Sequence, residues 1–217
     1  HEADVALKIG ATLSIGNYLA VNMISEFKEL HSNALLDLKV ANTTDIAERV
    51  LKYELDIGLI EGEINHKELI VEKWMPDELV VFCAPGHPLA SYEALTDSQL
   101  TGANWVLRES GSGTRQAFDQ AMHGILSQLT IAMELEHTEA IKRAVECNIG
   151  IGCLSRITLS EAFKRKSLVP LDVPQRDFKR SLYLIRHRDK YINNTMEAWL
   201  ELCRNTHPEL LAGHPKS

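Results

Sequence analysis

One short run of small polar residues has the clearest chemical potential in this sequence. It reads Ser110-Gly111-Ser112-Gly113-Thr114-Arg115. The two glycines carry no Cβ atom, so a ligand can approach the backbone closely. Hydroxyl groups, a guanidinium and the unpaired N–H groups at a helix start together favour a small anion. The run lacks the Gly-x-x-x-x-Gly-Lys-Ser/Thr pattern of a nucleotide phosphate loop. A helix that is simply capped after a glycine turn is the alternative interpretation.

The segments on either side of this run have opposite periodicities. The stretch 105–107 before it is short, apolar and typical of a strand. After it, Phe118, Ala121, Met122 and Ile125 recur at helical spacing. The sequence therefore predicts a strand, a glycine-rich turn and a helix, with the polar run at the start of the helix.

Two earlier turns have the same character. Thr12 and Ser14 follow a predicted strand at 5–10 and open a predicted helix, and Glu61 follows the apolar strand 56–60. In open α/β sheets, ligands bind outside the carboxyl ends of the strands. Thr12, Ser14 and Glu61 are therefore further candidates for ligand contact. Simple capping of the first helix is the alternative for the two hydroxyl groups.

Strands and helices alternate twice along the chain, and a break at 84–88 (Ala-Pro-Gly-His-Pro) separates the two series. This pattern predicts two α/β lobes, each with a mostly parallel sheet. Lobes that face each other would bring the polar turns into one cleft.

The composition of the chain argues against several classes of function. The chain has 217 residues, 30 acidic against 23 basic side chains and a formal net charge of −7, which argues against nucleic-acid binding by this chain itself. Four cysteines without metal-like spacing favour buried thiols in a reducing compartment over a disulfide framework, hence a cytoplasmic protein. No apolar run is long enough to span a membrane. The histidines are too scattered for a metal site, and no catalytic set or cofactor is expected.

Several motifs in a fixed order resemble the effector-binding domain of LysR-type bacterial transcriptional regulators, over nearly all of residues 4–205. They are Ile9-Gly10-Ala11-Thr12-Leu13-Ser14-Ile15-Gly16-Asn17-Tyr18-Leu19, Asp56-Ile57-Gly58-Leu59-Ile60-Glu61-Gly62, Ala84-Pro85-Gly86-His87-Pro88, Glu109-Ser110-Gly111-Ser112-Gly113-Thr114-Arg115, Thr138-Glu139-Ala140-Ile141-Lys142 and Gly150-Ile151-Gly152-Cys153-Leu154. The first and fourth look like the members that answer to sulfur-metabolism or carbon-fixation signals.

This resemblance implies two Rossmann-like subdomains joined by two crossover strands, as in periplasmic binding proteins, with the effector in the cleft between them. The expected boundaries are 4–85 with 186–207 for subdomain I, 86–185 for subdomain II and 208–217 for a C-terminal tail. It also implies dimers and tetramers of the chain, and DNA binding through an N-terminal helix-turn-helix that is expected to be absent from this chain.

The resemblance assigns effector contacts to Thr12 and Ser14, to Glu61, and to the run from Ser110 to Arg115. An ionised Glu61 would repel an anion unless it pairs with Arg115 or accepts a proton from the ligand. A surface ion pair is the alternative for Arg115. Thr138 is expected to cap its helix, and the alternative is that the N–H groups of this helix start face the cleft. Cys153 is expected to lie in the core, with a redox sensor as the alternative.

The leading hypothesis is thus a domain that senses a small anion, either a sulfur oxyanion or a short organic acid. A solute-binding protein of a transport system, with the same two lobes, is the main alternative. An enzyme such as a dehydratase on this fold is the third.

Overall fold

A computed structural model describes residues 5–207, so the predicted tail at 208–217 lies outside the described residues. The strands are β1 Leu7–Ala11, β2 Leu36–Val40, β3 Ile57–Glu61, β4 Leu69–Cys83, β5 Asn104–Arg108, β6 Thr130–Leu135, β7 Ile151–Ser155, β8 Val169–Leu171 and β9 Lys179–His187. The α-helices are α1 Leu13–Ile15, α2 Val21–Leu30, α3 Thr43–Leu51, α4 Asp97–Gly102, α5 Gly113–Ala121, α6 Thr138–Glu146, α7 Arg156–Lys164 and α8 Asn194–Asn205. A π-helical turn, Gly16–Ala20, connects α1 to α2, and short 3-10 turns occupy Pro88–Ser91 and Leu126–Gln128.

The chain divides into two compact units, here called unit 1 (described over 5–76 and 181–207) and unit 2 (77–180). Strands β4 and β9 carry the chain from one unit to the other. The predicted fold of two Rossmann-like α/β subdomains joined by two crossover strands is confirmed. The predicted boundaries at 85 and 185 and the predicted cleft stay predictions.

Unit 1 has the strand order β2-β1-β3-β9, with β1 parallel to both β2 and β3, and β9 antiparallel to β3. The first helical segment places Ile15, Met23 and Phe27 in the core, as its apolar spacing predicts. Helix α3 begins where the Asn42 side chain accepts a hydrogen bond from the Asp45 N–H. Because β1 and β3 are parallel, their carboxyl ends lie at the same edge of this sheet.

Unit 2 has the strand order β4-β7-β5-β6, with β5 parallel to both β6 and β7 and β8 paired with β4. Alternate residues of β5 point to opposite faces of the sheet. Trp105 and Leu107 belong to the cluster that contains Phe118 of α5, whereas Val106 belongs to the cluster that contains Ile141 of α6. The starts of α5, α6 and α7 all follow the carboxyl ends of these parallel strands and share one edge.

Candidate functional site

The polar turn of unit 1 is held by a buried carboxylate. Glu61, the last residue of β3, is 1% exposed, and its Oε1 accepts a hydrogen bond from the Ser14 N–H at 3.0 Å. Its backbone carbonyl accepts from Thr43 Oγ1 at 2.6 Å. The carboxylate thus satisfies an amide at the start of the first helix, where the macrodipole favours negative charge. Glu61 therefore bonds to the first turn of its own unit, and contact of Glu61 with an effector stays a prediction.

The two hydroxyl groups of this turn are buried without a partner. Thr12 and Ser14 are each 1% exposed, and within residues 5–207 neither hydroxyl oxygen makes a hydrogen bond. Thr12 occupies the N-cap position of α1, yet its side chain makes no capping bond to the described chain. The capping alternative is therefore wrong for Thr12. A buried hydroxyl without a partner costs free energy, so both groups are suited to a ligand that accepts their protons.

The polar run of unit 2 forms the start of α5, as predicted. Ser112 is the N-cap, and its Oγ accepts from the Arg115 N–H at 3.2 Å. Gly111 has a φ of +92°, a left-handed conformation that favours glycine. Ser110 and Gly111 are exposed, whereas Ser112, Gly113 and Thr114 are buried. The run therefore has an exposed turn and a buried first helical turn.

A buried ion pair connects this helix start to the crossover strands. Thr114 Oγ1 accepts from Arg180 Nη1 at 3.2 Å, and Arg180 Nε donates to Asp77 Oδ2 at 2.8 Å. Ser155, which caps α7, donates from Oγ to Asp77 Oδ1 at 2.9 Å. Asp77 in β4 and Arg180 in β9 thereby link the starts of α5 and α7.

The guanidinium of Arg115 makes contacts inside unit 2. Its Nε donates to Asp119 Oδ1 at 3.0 Å, and its Nη1 donates to Glu134 Oε1 at 2.6 Å and to the Arg108 carbonyl at 2.9 Å. Burial lowers the pKa of Arg115, but these carboxylates outweigh burial and raise it. The ion-pair alternative describes the observed contacts, and effector contact by Arg115 stays a prediction.

Thr138 is the residue whose role the sequence misjudged. Helix α6 begins with it, so the N-cap is His137, which makes no side-chain capping bond in the described part of the chain. The hydroxyl of Thr138 is 1% exposed and has no hydrogen-bond partner there either. The expected capping role of Thr138 is therefore wrong. The signal available in the sequence was a threonine three residues after a strand, at the start of an amphipathic helix.

The remaining features to consider are metal ligands, cysteine thiols and helices that could span a membrane. Among residues 5–207, no group of three or more His, Cys, Asp and Glu side chains could hold a metal ion. Burial raises the pKa of the Cys83 thiol to about 11 and that of Cys153 further, so neither is a ready thiolate at neutral pH. None of the helices between residues 5 and 207 is long and apolar enough to cross a bilayer.

Comparison with known proteins gives consistent matches. Residues 2–208 match the family described as LysR substrate binding domain. The chain is 39% identical over 203 residues to the uncharacterized HTH-type transcriptional regulator YeiE of Escherichia coli K12, covering 94% of this chain and 69% of that protein. It is 32% identical over 185 residues to the HTH-type transcriptional regulator CysL of Bacillus subtilis, covering 85% and 62%.

A solved structure agrees in fold. The regulatory domain of CcmR from Synechocystis PCC6803, in complex with 2-PG, has a TM-score of 0.85 and 26% identity, covering 93% of this chain and 99% of that domain. The sequence relatives are named as transcriptional regulators and not as enzymes, in agreement with the predicted non-enzymatic role. The chain spans about two thirds of their length.

Proposed function

This chain belongs to the LysR substrate-binding domain family, and we propose that it senses a small anion on behalf of a LysR-type transcriptional regulator. Its membership makes it an effector-binding domain for small ligands. The anionic character of the effector, and the residues that contact it, are our proposal.

Three buried hydroxyl groups at helix starts are the observation that carries the proposal. Thr12 and Ser14 in unit 1 and Thr138 in unit 2 have no hydrogen-bond partner among the described residues. Each follows the carboxyl end of a strand, and each lies at a helix start, where the helix dipole favours negative charge. A neutral ligand would use the hydroxyl groups but not the dipoles, so the arrangement favours an anion with several acceptor oxygens.

The binding free energy expected from these hydrogen bonds is sufficient for a metabolite sensor. A hydrogen bond to a charged acceptor contributes about 1.5–3 kcal/mol, and three or four of them give roughly micromolar affinity after the cost of ordering the ligand. Ser112 and Thr114 supply further polar groups at the start of α5. Ser110, Gly111 and Gly113 have small or no side chains, so a ligand can approach the backbone there. The effector class proposed is a sulfur oxyanion or a short organic acid.

Calorimetry of this chain with sulfate, thiosulfate, phosphate and short organic acids tests the proposal. We expect one class of anion to bind, and the double change Ser112→Ala with Thr114→Ala to weaken that binding at least tenfold. Asn193→Ala is the matched control, because it also removes a helix N-cap, that of α8. Failure of every anion to bind, or an unchanged affinity in the double variant, would contradict the proposal.

We further propose how effector binding changes DNA binding by the whole regulator. LysR-type regulators bind small effectors and act as oligomers on DNA. The chain carries a formal net charge of −7, so we assign DNA contact to a helix-turn-helix of the whole regulator and self-association to this domain. An effector that favours one arrangement by about 1–3 kcal/mol is sufficient to change DNA binding. Gel-shift titration of the full-length regulator with and without the anion tests this, and equal affinities would contradict it.

A further inference from the structure

We propose that Arg108 is the residue through which this domain recognises the negative charge of its effector. The inference rests on the proposed function and adds a cationic group to it. Arg108 is the last residue of β5 and directly precedes the polar run, yet the sequence did not mark it as a contact. Its side chain is 1% exposed, an unusual degree of burial for a guanidinium.

The alternation of β5 places this side chain on a defined face. Val106 packs with Ile141 and Val145 of α6, and Arg108, two residues further, emerges on that same face. Arg108 also pairs with Leu135, the last residue of β6. Thr138, at the start of α6, follows only three residues after Leu135. Arg108 and the start of α6 therefore share one face at one edge of the sheet.

The hydrogen bonds of the guanidinium are incomplete. Its Nε donates to Glu109 Oε1 at 2.9 Å, which fixes the plane of the group. Its Nη1 is buried and finds no acceptor within residues 5–207. A buried charged donor without an acceptor is strongly unfavourable, and a buried charge is normally paired or bonded. An oxyanion supplies both the acceptor and the charge, and arginine matches such groups with two N–H donors.

A second, independent feature at the same place indicates a ligand. Helix α6 has nine residues, no side-chain cap in the described structure, and the buried hydroxyl of Thr138 at its first position. Helix α5, by contrast, has its Ser112 cap. The guanidinium Nη1 and the Thr138 hydroxyl are both hydrogen-bond donors, and an anion with several oxygens is suited to accept from both.

The nearby acidic side chains, Glu109 and Glu139, bond to other donors and do not accept a hydrogen bond from Arg108 Nη1. Glu109 bonds Arg108 through Nε, while Glu139 in the first turn of α6 bonds Lys142 Nζ at 3.1 Å. Lys142 also donates to the Thr158 carbonyl at 2.8 Å. Each additional negative charge on the effector is therefore stabilised mainly by Arg108 and the helix start. The predicted consequence is a preference for the more highly charged of two anions of similar shape.

Titration of the unchanged chain and of two variants with inorganic sulfate and with methanesulfonate tests this at constant ionic strength. The unchanged chain is expected to bind sulfate more tightly, and Arg108→Gln to weaken sulfate about 10- to 100-fold, with a smaller loss for methanesulfonate. Arg176→Gln is the matched control in unit 2, because its guanidinium bonds Asp97 and the carbonyl groups of Ala121 and His123 at the far end of α5. It should leave both affinities within about twofold, because its donors already have partners.

The outcomes separate the inference from the proposed function. Sulfate binding that is equal in the unchanged chain and in Arg108→Gln overturns the role of Arg108 alone. Failure of the unchanged chain to bind either probe overturns that role together with the proposal of a sulfur oxyanion. Circular dichroism and thermal unfolding monitor folding. If Arg108→Gln does not fold, Arg108→Lys is titrated in its place. Weaker binding of sulfate, with sulfate still preferred over methanesulfonate, supports the role of Arg108, and an unchanged affinity for sulfate overturns it.

Discussion

Glu61 in unit 1 and Asp77 in unit 2 are buried carboxylates beside helix starts, and their hydrogen-bond partners differ. Glu61 of unit 1 accepts from the backbone N–H of Ser14 at 3.0 Å. Asp77 of unit 2 pairs with Arg180 at 2.8 Å and accepts from Ser155 at 2.9 Å. The first acid therefore occupies a donor at the start of a helix. The second is neutralised by a guanidinium and leaves the helix amides of unit 2 to other acceptors.

This difference indicates which kind of ligand atom each unit is suited to contact. In unit 1, the Glu61 carboxylate already accepts a hydrogen bond at the positive end of the first helix. Thr12 and Ser14 are therefore suited to ligand oxygen atoms that carry little charge. In unit 2, the buried guanidinium of Arg108 and the start of α6 retain unused donors within the described chain. Taking each unit by itself, we expect unit 1 to offer hydroxyl contacts and unit 2 to offer charged contacts to an oxyanion. The following changes test that division.

The largest effect is expected from Asp77→Asn. Both partners of this pair are almost fully buried, and removal of one charge leaves the other uncompensated. The free energy of unfolding should fall by about 3–5 kcal/mol, measured by urea denaturation. Glu72→Gln is the control: it breaks the partly exposed pair with Arg204 and should cost about 1 kcal/mol or less. Similar losses in the two variants would show that Asp77 is not a structural anchor.

The next largest effect is expected from Glu61→Gln, which keeps an acceptor for Ser14 but removes the charge. An anion at Thr12 and Ser14 lies within about 10 Å of that carboxylate, where like-charge repulsion amounts to about 1.7 kcal/mol at an effective dielectric constant of about 20. Anion affinity should therefore rise about tenfold by calorimetry. Glu54→Gln, an exposed change in the same unit, should not raise it. An unchanged affinity in Glu61→Gln argues against an anion at this turn.

Smaller effects of opposite sign are expected from three threonines. Thr12→Val and Thr138→Val remove buried hydroxyl groups that have no partner among residues 5–207, so the ligand-free chain should gain up to about 1 kcal/mol of stability. Anion affinity should fall in both. Thr114→Val removes the acceptor of Arg180 Nη1 and should lose about 1–2 kcal/mol of stability. Thermal unfolding with and without anion measures both quantities, and a uniform loss of stability in all three variants would refute the distinction.

The smallest effect concerns the control pair and its dependence on pH. The hydrogen bond from Arg204 holds the pKa of Glu72 below its ordinary value of 4.5. A carboxyl whose pKa is lower in the folded state contributes stability above its unfolded pKa and loses it as the pH falls through the folded value. The stability difference between the unchanged chain and Glu72→Gln should therefore be present at pH 7 and be lost as the pH falls below 4.5 and through the lowered pKa of the folded state. A difference that persists at low pH would assign the effect of the substitution to packing.

Much of the molecule follows from its sequence. The strand before Ser110 and the helix after Gly113 could be predicted because periodicities of 2.0 and 3.6 residues are local properties. The polar residues at 12, 14 and 112 could be placed at strand ends for the same reason. The two-lobe α/β fold follows from the alternation of these elements, and the ordered motifs identify the family.

The choice of partners was decided only by the tertiary structure. Glu61 bonds Ser14 across 47 residues of chain, and Arg115 reaches Glu134 on a neighbouring strand. These contacts depend on strand order, on register and on the direction of each side chain, which no local pattern encodes. The same reason explains Thr138 and Arg108: their residue types are visible in the sequence, but a polar atom becomes an unmet donor only when the surrounding chain closes over it and supplies no acceptor.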